Sequence, residues 1–364
     1  MSWERTDAYD QYGRWSEDDV RVRANRKGSR PRTKQRPDHE DAIDGFVLTV
    51  DRGRYTCLVE EGHKKRERTV IATTAREMGR KSVVVGDRVS LVGDVSGEPG
   101  TLARIVRVAE RSTLLRRSAD DSDRVERIIV ANADQLCVVV AAAQPEPRPR
   151  LIDRYLVAAY DAGISPIVMI TKTDLASPKP IRELVASLEV PVFESALGSD
   201  PDPEFRAMLT DHITVMVGHS GVGKSTLVNE LVPKAGRATG HVNVVTGRGR
   251  HTSSSSVALR VEDASGADGW IIDTPGVRSF GLGHIDSDAV FMAFPGIAEI
   301  VAECPRGCTH RADAPDCELD EAVADGRLDA VGAARVPSLR RLLGSMDPDD
   351  AAPGAQQDAE QPPE

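Results

Sequence analysis

The segment GHSGVGKS, Gly218 to Ser225, has the residue types and spacing that hold a chain of phosphates. Gly218, Gly221 and Gly223 let backbone N–H groups close around a phosphate with no Cβ in the way, so His219, Ser220 and Val222 need contribute only amides. Lys224 has the reach to meet the terminal phosphate oxygens. Ser225 follows as a hydroxyl ligand for Mg²⁺, with Thr226 beside it in the same turn. The pattern matters only between a strand and a helix, because the helix N-terminus adds positive charge where the phosphates lie. The flanks provide that setting, since ITVMV reads as a strand and STLVNEL as a helix.

A second phosphate-side motif is DTPG, Asp273 to Gly276, at the end of the strand run GWIID. An aspartate there holds Mg²⁺ through water, and the Gly276 amide senses a γ-phosphate. Between the two motifs runs the polar loop GRGRHTSSSS, Gly247 to Ser256, where a threonine ligand for Mg²⁺ is expected; Thr252 is the candidate. The expected Mg²⁺ set is therefore Ser225, Thr252 and Asp273. Ras-like enzymes place a water-orienting Gln just after the DxxG motif. Val277 stands there instead, so unaided turnover should be slow.

A phosphate loop does not choose a base. TKTD (Thr171, Lys172, Thr173, Asp174) follows the strand run ISPIVMI and resembles the NKxD motif of GTPases. In that motif the carboxylate accepts from the N1–H and the exocyclic amine of guanine, a pair that adenine does not offer. Sites built on such hydrogen bonds reject the analogue lacking them by roughly 10⁴. ESA, Glu194 to Ala196, follows the next strand run and would place Ser195 and Ala196 at the same base. Thr171 keeps a hydroxyl where the motif usually has an Asn. It lacks the amide that ties this motif to the phosphate loop, so guanine affinity should suffer more than specificity. The order is unusual: the base motif at 171 precedes the phosphate motifs at 218 and 273. In an ordinary GTPase it follows them. The expected fold is thus a circularly permuted GTPase, because moving the chain ends leaves strand neighbours unchanged.

The remaining candidate ligands are Cys304, Cys308, His310 and Cys317. Three thiolates and an imidazole suit a tetrahedral structural Zn²⁺ with no position left open for substrate. Cys57 and Cys137 fall in predicted strands and read as core residues.

These motifs need elements to hold them. Asp41 to about Arg111 reads as short β-branched runs (IDGFVLTV, RYTCLVE, ERTVIAT, DRVSLVG, ARIVRVA) broken by Gly and Asp turns, a pattern suited to a small barrel of the OB type. From Ile128, apolar strands alternate with amphipathic helices such as LIDRYLVAAYDAG. That alternation indicates a parallel sheet with ligands at the C-terminal strand edges, where the motifs fall. Beyond Gly283 the chain turns helical.

The expected organisation is a disordered basic tail (1–38), an OB-fold RNA-binding barrel (39–115), the permuted α/β P-loop GTPase domain (116–284), a zinc-binding α-helical domain (285–346) and a disordered acidic tail (347–364). Net charge is −10 over 364 residues, yet RVRANRKGSRPRTKQR (21–36) carries eight basic residues and no acid. Such a cluster favours contact with a polyanion such as RNA through counterion release. The longest apolar stretch, Leu136 to Ala143, is too short to span a bilayer, and the N-terminus has no apolar core of a secretory signal. A cytoplasmic protein with no membrane partner is expected.

The signatures RSTLLRR, LIDRYLVAA, GHSGVGKSTLVNEL, GRGRHT, DTPGVRSFGL and the Cys/His cluster after FPGI resemble those of the circularly permuted, ribosome-small-subunit-dependent GTPases (RsgA, also called YjeQ), from about Asp44 to Met346. The resemblance implies an N-terminal OB barrel, a permuted GTPase and a zinc-bearing helical domain. It also implies a monomer that binds GTP and GDP, with hydrolysis stimulated by the small (30S) ribosomal subunit and its rRNA late in that subunit's maturation. It points to His251 as a hydrolysis residue beside Lys224 and Thr252. The cluster departs from the family's usual spacing, with three residues between the first two cysteines and six between His310 and Cys317, where the family has four and five.

Overall fold

The computed structural model describes residues 39–61, 66–78, 82–118, 126–233, 256–262, 266–274, 287–292 and 294–346. His251, Thr252, Gly276, Val277 and both expected tails lie outside the described residues.

Five strands form the N-terminal barrel: β1 (Ile43–Asp51), β2 (Arg54–Glu61), β3 (Arg66–Thr74), β4 (Arg88–Gly93) and β5 (Ala103–Val108). β1–β2–β3 is an antiparallel meander, β3 runs parallel to β5, β5 pairs with β4, and β4 returns to β1. This closure is that of an OB-type barrel. Its filling comes from every second side chain of the runs legible in the sequence, including Val47, Cys57, Val70, Leu91 and Ile105, all fully buried.

A hairpin of β6 (Leu114–Ser118) and β7 (Glu126–Ala131) follows, and the expected domain junction at 115/116 falls inside it. The hairpin seats the barrel. Asn132 donates from its side-chain amide to the Gly86 carbonyl (2.9 Å), and the buried Asp87 carboxylate takes a bidentate bond from Arg111 (2.7 and 2.8 Å). The sequence reading did not include this hairpin as an element. Its strands are short and lie outside the main sheet, and an isolated parallel bridge from Val130 to Val85 joins them to the barrel.

The α/β part comprises β8 (Gln135–Ala141), α1 (Pro149–Asp161), β9 (Ser165–Thr171), α2 (Lys179–Val185), β10 (Val192–Glu194), α3 (Pro203–Met208), β11 (Ile213–Val217), α4 (Lys224–Leu231), β12 (Val257–Glu262) and β13 (Asp268–Asp273). Strand order is β10-β9-β8-β11-β13-β12, parallel from β10 to β13, with β12 antiparallel at the far side. β8 is buried at all seven positions, as a central strand covered on both faces must be. The expectation of a parallel sheet therefore holds for the strands that carry motifs, and β12 is the exception. It pairs on its other side with β1, so sheet and barrel form one eleven-stranded ladder.

Four C-terminal helices, α5 (Ser287–Met292), α6 (Pro295–Val301), α7 (Glu318–Ala324) and α8 (Ala330–Ser345), share a single core with α1. Phe291, Phe294, Leu339 and Leu342 pack into the same apolar cluster as Ile152, Tyr155 and Leu156. Arg341 of α8 shares its Nε–H between both carboxylate oxygens of the buried Asp153 of α1 (2.9 and 3.0 Å) and donates from Nη2 to the Leu184 carbonyl (2.9 Å). Burial raises the Asp153 carboxyl above its ordinary pKa, while the Arg341 charge and hydrogen bonds pull it back. No described helix is long and apolar enough to cross a membrane.

Candidate nucleotide and metal sites

The phosphate loop leaves β11 and enters α4 at Lys224, with Gly223 as the cap residue. Two of its glycines are required by geometry. A Cβ on Gly218 would lie 2.5 Å from the Val139 carbonyl oxygen, and Gly223 sits at φ +92°, a left-handed conformation that side chains disfavour. Val222 is buried under the loop, while Ser225 and Thr226 are exposed on the first turn of α4. His219 is half-buried, and its Nδ1 lies 3.0 Å from the Ser220 carbonyl.

On the neighbouring parallel strand, Asp273 ends β13 beside the loop. Lys224 Nζ pairs with Asp273 Oδ1 and lies 3.4 Å from the Thr274 carbonyl. The buried Thr274 hydroxyl in turn donates to the Met216 carbonyl (2.8 Å), which ties the end of β13 to β11. The sequence reading passed over Thr274; a threonine inside DTPG signals little until its burial is seen.

The base motif lies at the end of β9, two strands away across β8. Its two leading residues are fastened to the phosphate loop. The buried Thr171 hydroxyl donates to the Val222 carbonyl, and its side chain forms the floor under Gly223. Lys172, at φ +56°, donates to the carbonyls of Gln144 and Gly221, the latter at 2.8 Å. The expectation that Thr171 loses the tie of the usual Asn is thus met differently. A hydroxyl supplies one link to the loop and the lysine supplies another. Gln144 was absent from the sequence reading because its contribution is a backbone carbonyl, which no residue type announces.

Asp174 is exposed at the strand edge, and Oδ1 accepts from the Leu197 backbone N–H (3.1 Å). Thr173 meets the Ser195 carbonyl through both its N–H and its hydroxyl (3.3 Å each), and the Ser195 N–H donates to Ile170 (2.8 Å). Thr171, Lys172, Thr173, Asp174, Ser195 and Ala196 therefore converge with residues 218–226 and Asp273 on one edge of the sheet. Gly276, His251 and Thr252 lie outside the described residues. The residues present fit a Mg²⁺–nucleotide. Gly223 keeps the cradle free of a Cβ, and one carboxylate and one hydroxyl stand at its rim.

The second site lies among the C-terminal helices. The ligand atoms of Cys304, Cys308, His310 and Cys317 all lie within 4.8 Å of one another. A turn closed by Cys308 N–H to the Pro305 carbonyl (3.0 Å) absorbs the shorter first spacing, with Gly307 at φ +84°. The longer second spacing is taken up by the 311–316 loop, where Asp316 is left-handed. The donors fit zinc. The His310 Nδ1 is buried with no hydrogen-bond partner, and the His310 backbone N–H points at Cys308 Sγ (3.4 Å) as it would at a thiolate. Burial, with Cys308 and Cys317 adding to it, pushes the Cys304 thiol up to about 11, so a bound cation is what would make a thiolate there. Arg340 braces the loop by donating to the His310 carbonyl (3.2 Å) and, bidentately, to Asp320 on α7 (2.8 Å). Cys57 and Cys137 are buried strand residues elsewhere, in the barrel and in β8.

A parallel sheet with a phosphate loop at one strand end, a KxD motif pinned to that loop, and the two in reversed chain order defines a circularly permuted GTPase. Known proteins narrow this further. The family profile described as RsgA GTPase matches residues 108–283. The small ribosomal subunit biogenesis GTPase RsgA of Chlorobaculum parvum is 33% identical over 316 residues, 84% of this chain and 99% of that protein. The protein of the same name from Pseudomonas aeruginosa is 36% identical over 273 residues, 73% of this chain and 76% of its own. Among solved structures, YloQ, titled a circularly permuted GTPase, superposes with a TM-score of 0.58 at 25% identity, covering 87% of this chain and 98% of that one. YjeQ from Thermotoga maritima has the same fold, with a TM-score of 0.60 at 24% identity, covering 84% of this chain and 98% of that one. The chain belongs to the RsgA family and is a GTPase.

Proposed function

We propose that this GTPase hydrolyses GTP to GDP and phosphate as a monomer in the cytoplasm. Its rate is raised by the small ribosomal subunit, and it acts late in that subunit's maturation. The observation that carries the nucleotide part is the double link from Thr171 and Lys172 to the phosphate loop, which holds base and phosphate sites at one spacing. The names of the relatives support the ribosomal part.

In this mechanism Asp174 reads guanine, the Lys172 stem lies along the base, and Ser195 and Ala196 close its edge. The amides of 218–223 and Lys224 hold the phosphates, and the Lys224–Asp273 pair separates so that each takes its own charge partner. Ser225, Asp273 and Thr252 would hold Mg²⁺, which supplies positive charge to the β- and γ-phosphates. Gly276 contacts the γ-phosphate, and His251 assists the attacking water in place of the Gln that Val277 replaces. The barrel (39–115) and the basic tail (1–38) bind rRNA. The Cys₃His domain (285–346) would hold one structural Zn²⁺ through Cys304, Cys308, His310 and Cys317.

Turnover with and without purified 30S subunits tests this. Unassisted enzymes of this kind run at about 10⁻⁴ to 10⁻² per second. A hundredfold rise needs only about 2.7 kcal/mol of transition-state stabilisation. Strong stimulation by 30S and little by 50S is expected, most of it lost in His251→Ala with GTP affinity kept. Equal rates with and without 30S would end the ribosomal reading.

A further inference from the structure

The barrel meets the GTPase sheet along a narrow seam. Among the described residues, β12 shares six register pairs with β13 but only one, Val257 with Thr49, with β1 of the barrel. The Val85–Val130 bridge and the Asn132–Gly86 bond fasten the barrel at the hairpin, and along the β12 edge side chains complete the hold. Arg260 of β12 spans this seam. Its Nη1 lies 2.6 Å from Glu67 on β3, and its Nη2 lies 3.9 Å from Glu60 on β2. Its Nε lies 3.2 Å from Asp268 on β13, and its guanidinium lies 5.0 Å over the ring of Trp270. Trp270 in turn packs on Phe46 of β1 at 5.0 Å. One cation thus sits among three carboxylates, two from the barrel and one from the GTPase sheet. Removing it leaves Glu60 and Glu67 facing Asp268 with like charge across the seam. The planar fork and aromatic stacking also make a lysine a poor replacement.

The seam leads to the nucleotide site. Val257, whose one barrel partner is Thr49, pairs on its other side with Asp273, the residue bonded to Lys224. Trp270 lies on the same strand as Asp273. A shift of the barrel is therefore passed along one ladder, from Thr49 through Val257 to Asp273.

We propose that Arg260 is a positioning residue that couples what the barrel binds to the geometry at Asp273. Arg260 acts by holding the seam through Glu67, Glu60 and Asp268. By linkage the coupling runs both ways, so nucleotide binding must be felt in the barrel.

Hydrogen exchange tests this without ribosomes. With Mg²⁺ and a non-hydrolysable GTP analogue, exchange in β2 and β3 should change about fivefold in the native chain. In Arg260→Ala the change should vanish while analogue affinity is kept, and Arg260→Lys should retain only part of it. No nucleotide-dependent change in the native barrel, or the same change in both variants, overturns the coupling. A second measurement rests on the small-subunit reading. The 30S-stimulated kcat should fall about tenfold in Arg260→Ala, with basal kcat and the half-saturating 30S concentration unchanged. Native protein that 30S does not stimulate breaks that reading alone, and the exchange experiment still decides the coupling. Stimulation of Arg260→Ala equal to native overturns the coupling even where the ribosomal reading stands. Where the alanine variant does not fold, the lysine variant carries both measurements.

Discussion

The nucleotide edge and the Cys₃His cluster both gather residues distant in sequence, but they hold them in opposite ways. At the nucleotide edge the backbone makes the site. Carbonyls of Gln144, Gly221 and Val222 fasten the base motif, and the charged groups Lys224 and Asp273 neutralise each other. Each of those charges has a partner that it can exchange for a ligand. At the cluster the side chains converge on each other, partly or wholly buried, and the His310 Nδ1 has no hydrogen-bond partner. A site for turnover must let its ligand leave, so its charges keep alternative partners. A site for structure is more stable without them.

Breaking the base end should have the largest effect. Asp174→Asn should reduce the preference for GTP over xanthosine triphosphate by as much as roughly 10⁴, because the new amide pairs with the second carbonyl of xanthine. Competition binding of the two nucleotides measures this, and an unchanged preference would show that Asp174 does not read the base. Next in size is Lys224→Ala, which should lower turnover by about 10²- to 10³-fold, the usual cost of a lost electrostatic donor at a reacting centre. Single-turnover hydrolysis gives the number. A loss below tenfold would mean that the Lys224–Asp273 pair is structural.

The cluster sharpens the contrast from the other side. Chelation, or Cys308→Ala, should abolish one bound Zn²⁺ per chain and cost several kcal/mol. At about 2–4 °C per kcal/mol that is a fall in Tm on the order of 10 °C, while basal hydrolysis below the transition changes little. Metal analysis and calorimetry follow both, and protein prepared without chelator that contains no zinc would remove the site. Thiol labelling at pH 8 gives a finer view. Cys57 and Cys137 are fully buried in strands and stay shielded from reagent whether or not metal is bound. Only Cys304, Cys308 and Cys317 should react, and only after chelation.

The smallest effect is expected at Thr171. Thr171→Val removes the hydroxyl from the Val222 carbonyl and should weaken GDP binding about fivefold to tenfold, the worth of one hydrogen bond with a buried acceptor left unpaired. Thr171→Ser should restore it. Equal affinities in all three would assign the link to Lys172 alone.

The C-terminal helices bear on a further expectation. The segment RSFGLGHIDSDAV joins DTPG to the cluster-bearing part directly, which suggests a lever driven by the γ-phosphate. The structure sets a condition on it. α5, α6 and α8 share a core with α1, and Arg341 is locked to Asp153, so any such movement must carry α1 along or break a buried charge pair.

Motif chemistry and motif order were legible in the residues themselves. Phosphate binding needs glycines and a lysine at fixed spacing, and guanine selection needs a carboxylate at a strand end, so GHSGVGKS, TKTD and DTPG declare themselves locally. The barrel's five strands and the helical character of the last part follow equally from local periodicity. What tertiary structure alone decided are the contacts between segments far apart in the chain. The hydroxyl of Thr171 replaces a missing amide only because Val222, 51 residues later, presents a carbonyl to it. β12 joins the barrel rather than ending the sheet because Thr49 of β1, some two hundred positions earlier, lies beyond the stretch that β4 occupies. The pairing of Arg260 with Glu67 spans 193 residues, and that of Arg341 with Asp153 spans 188. Composition says that these arginines are charged. Only the folded chain says which acid each one meets.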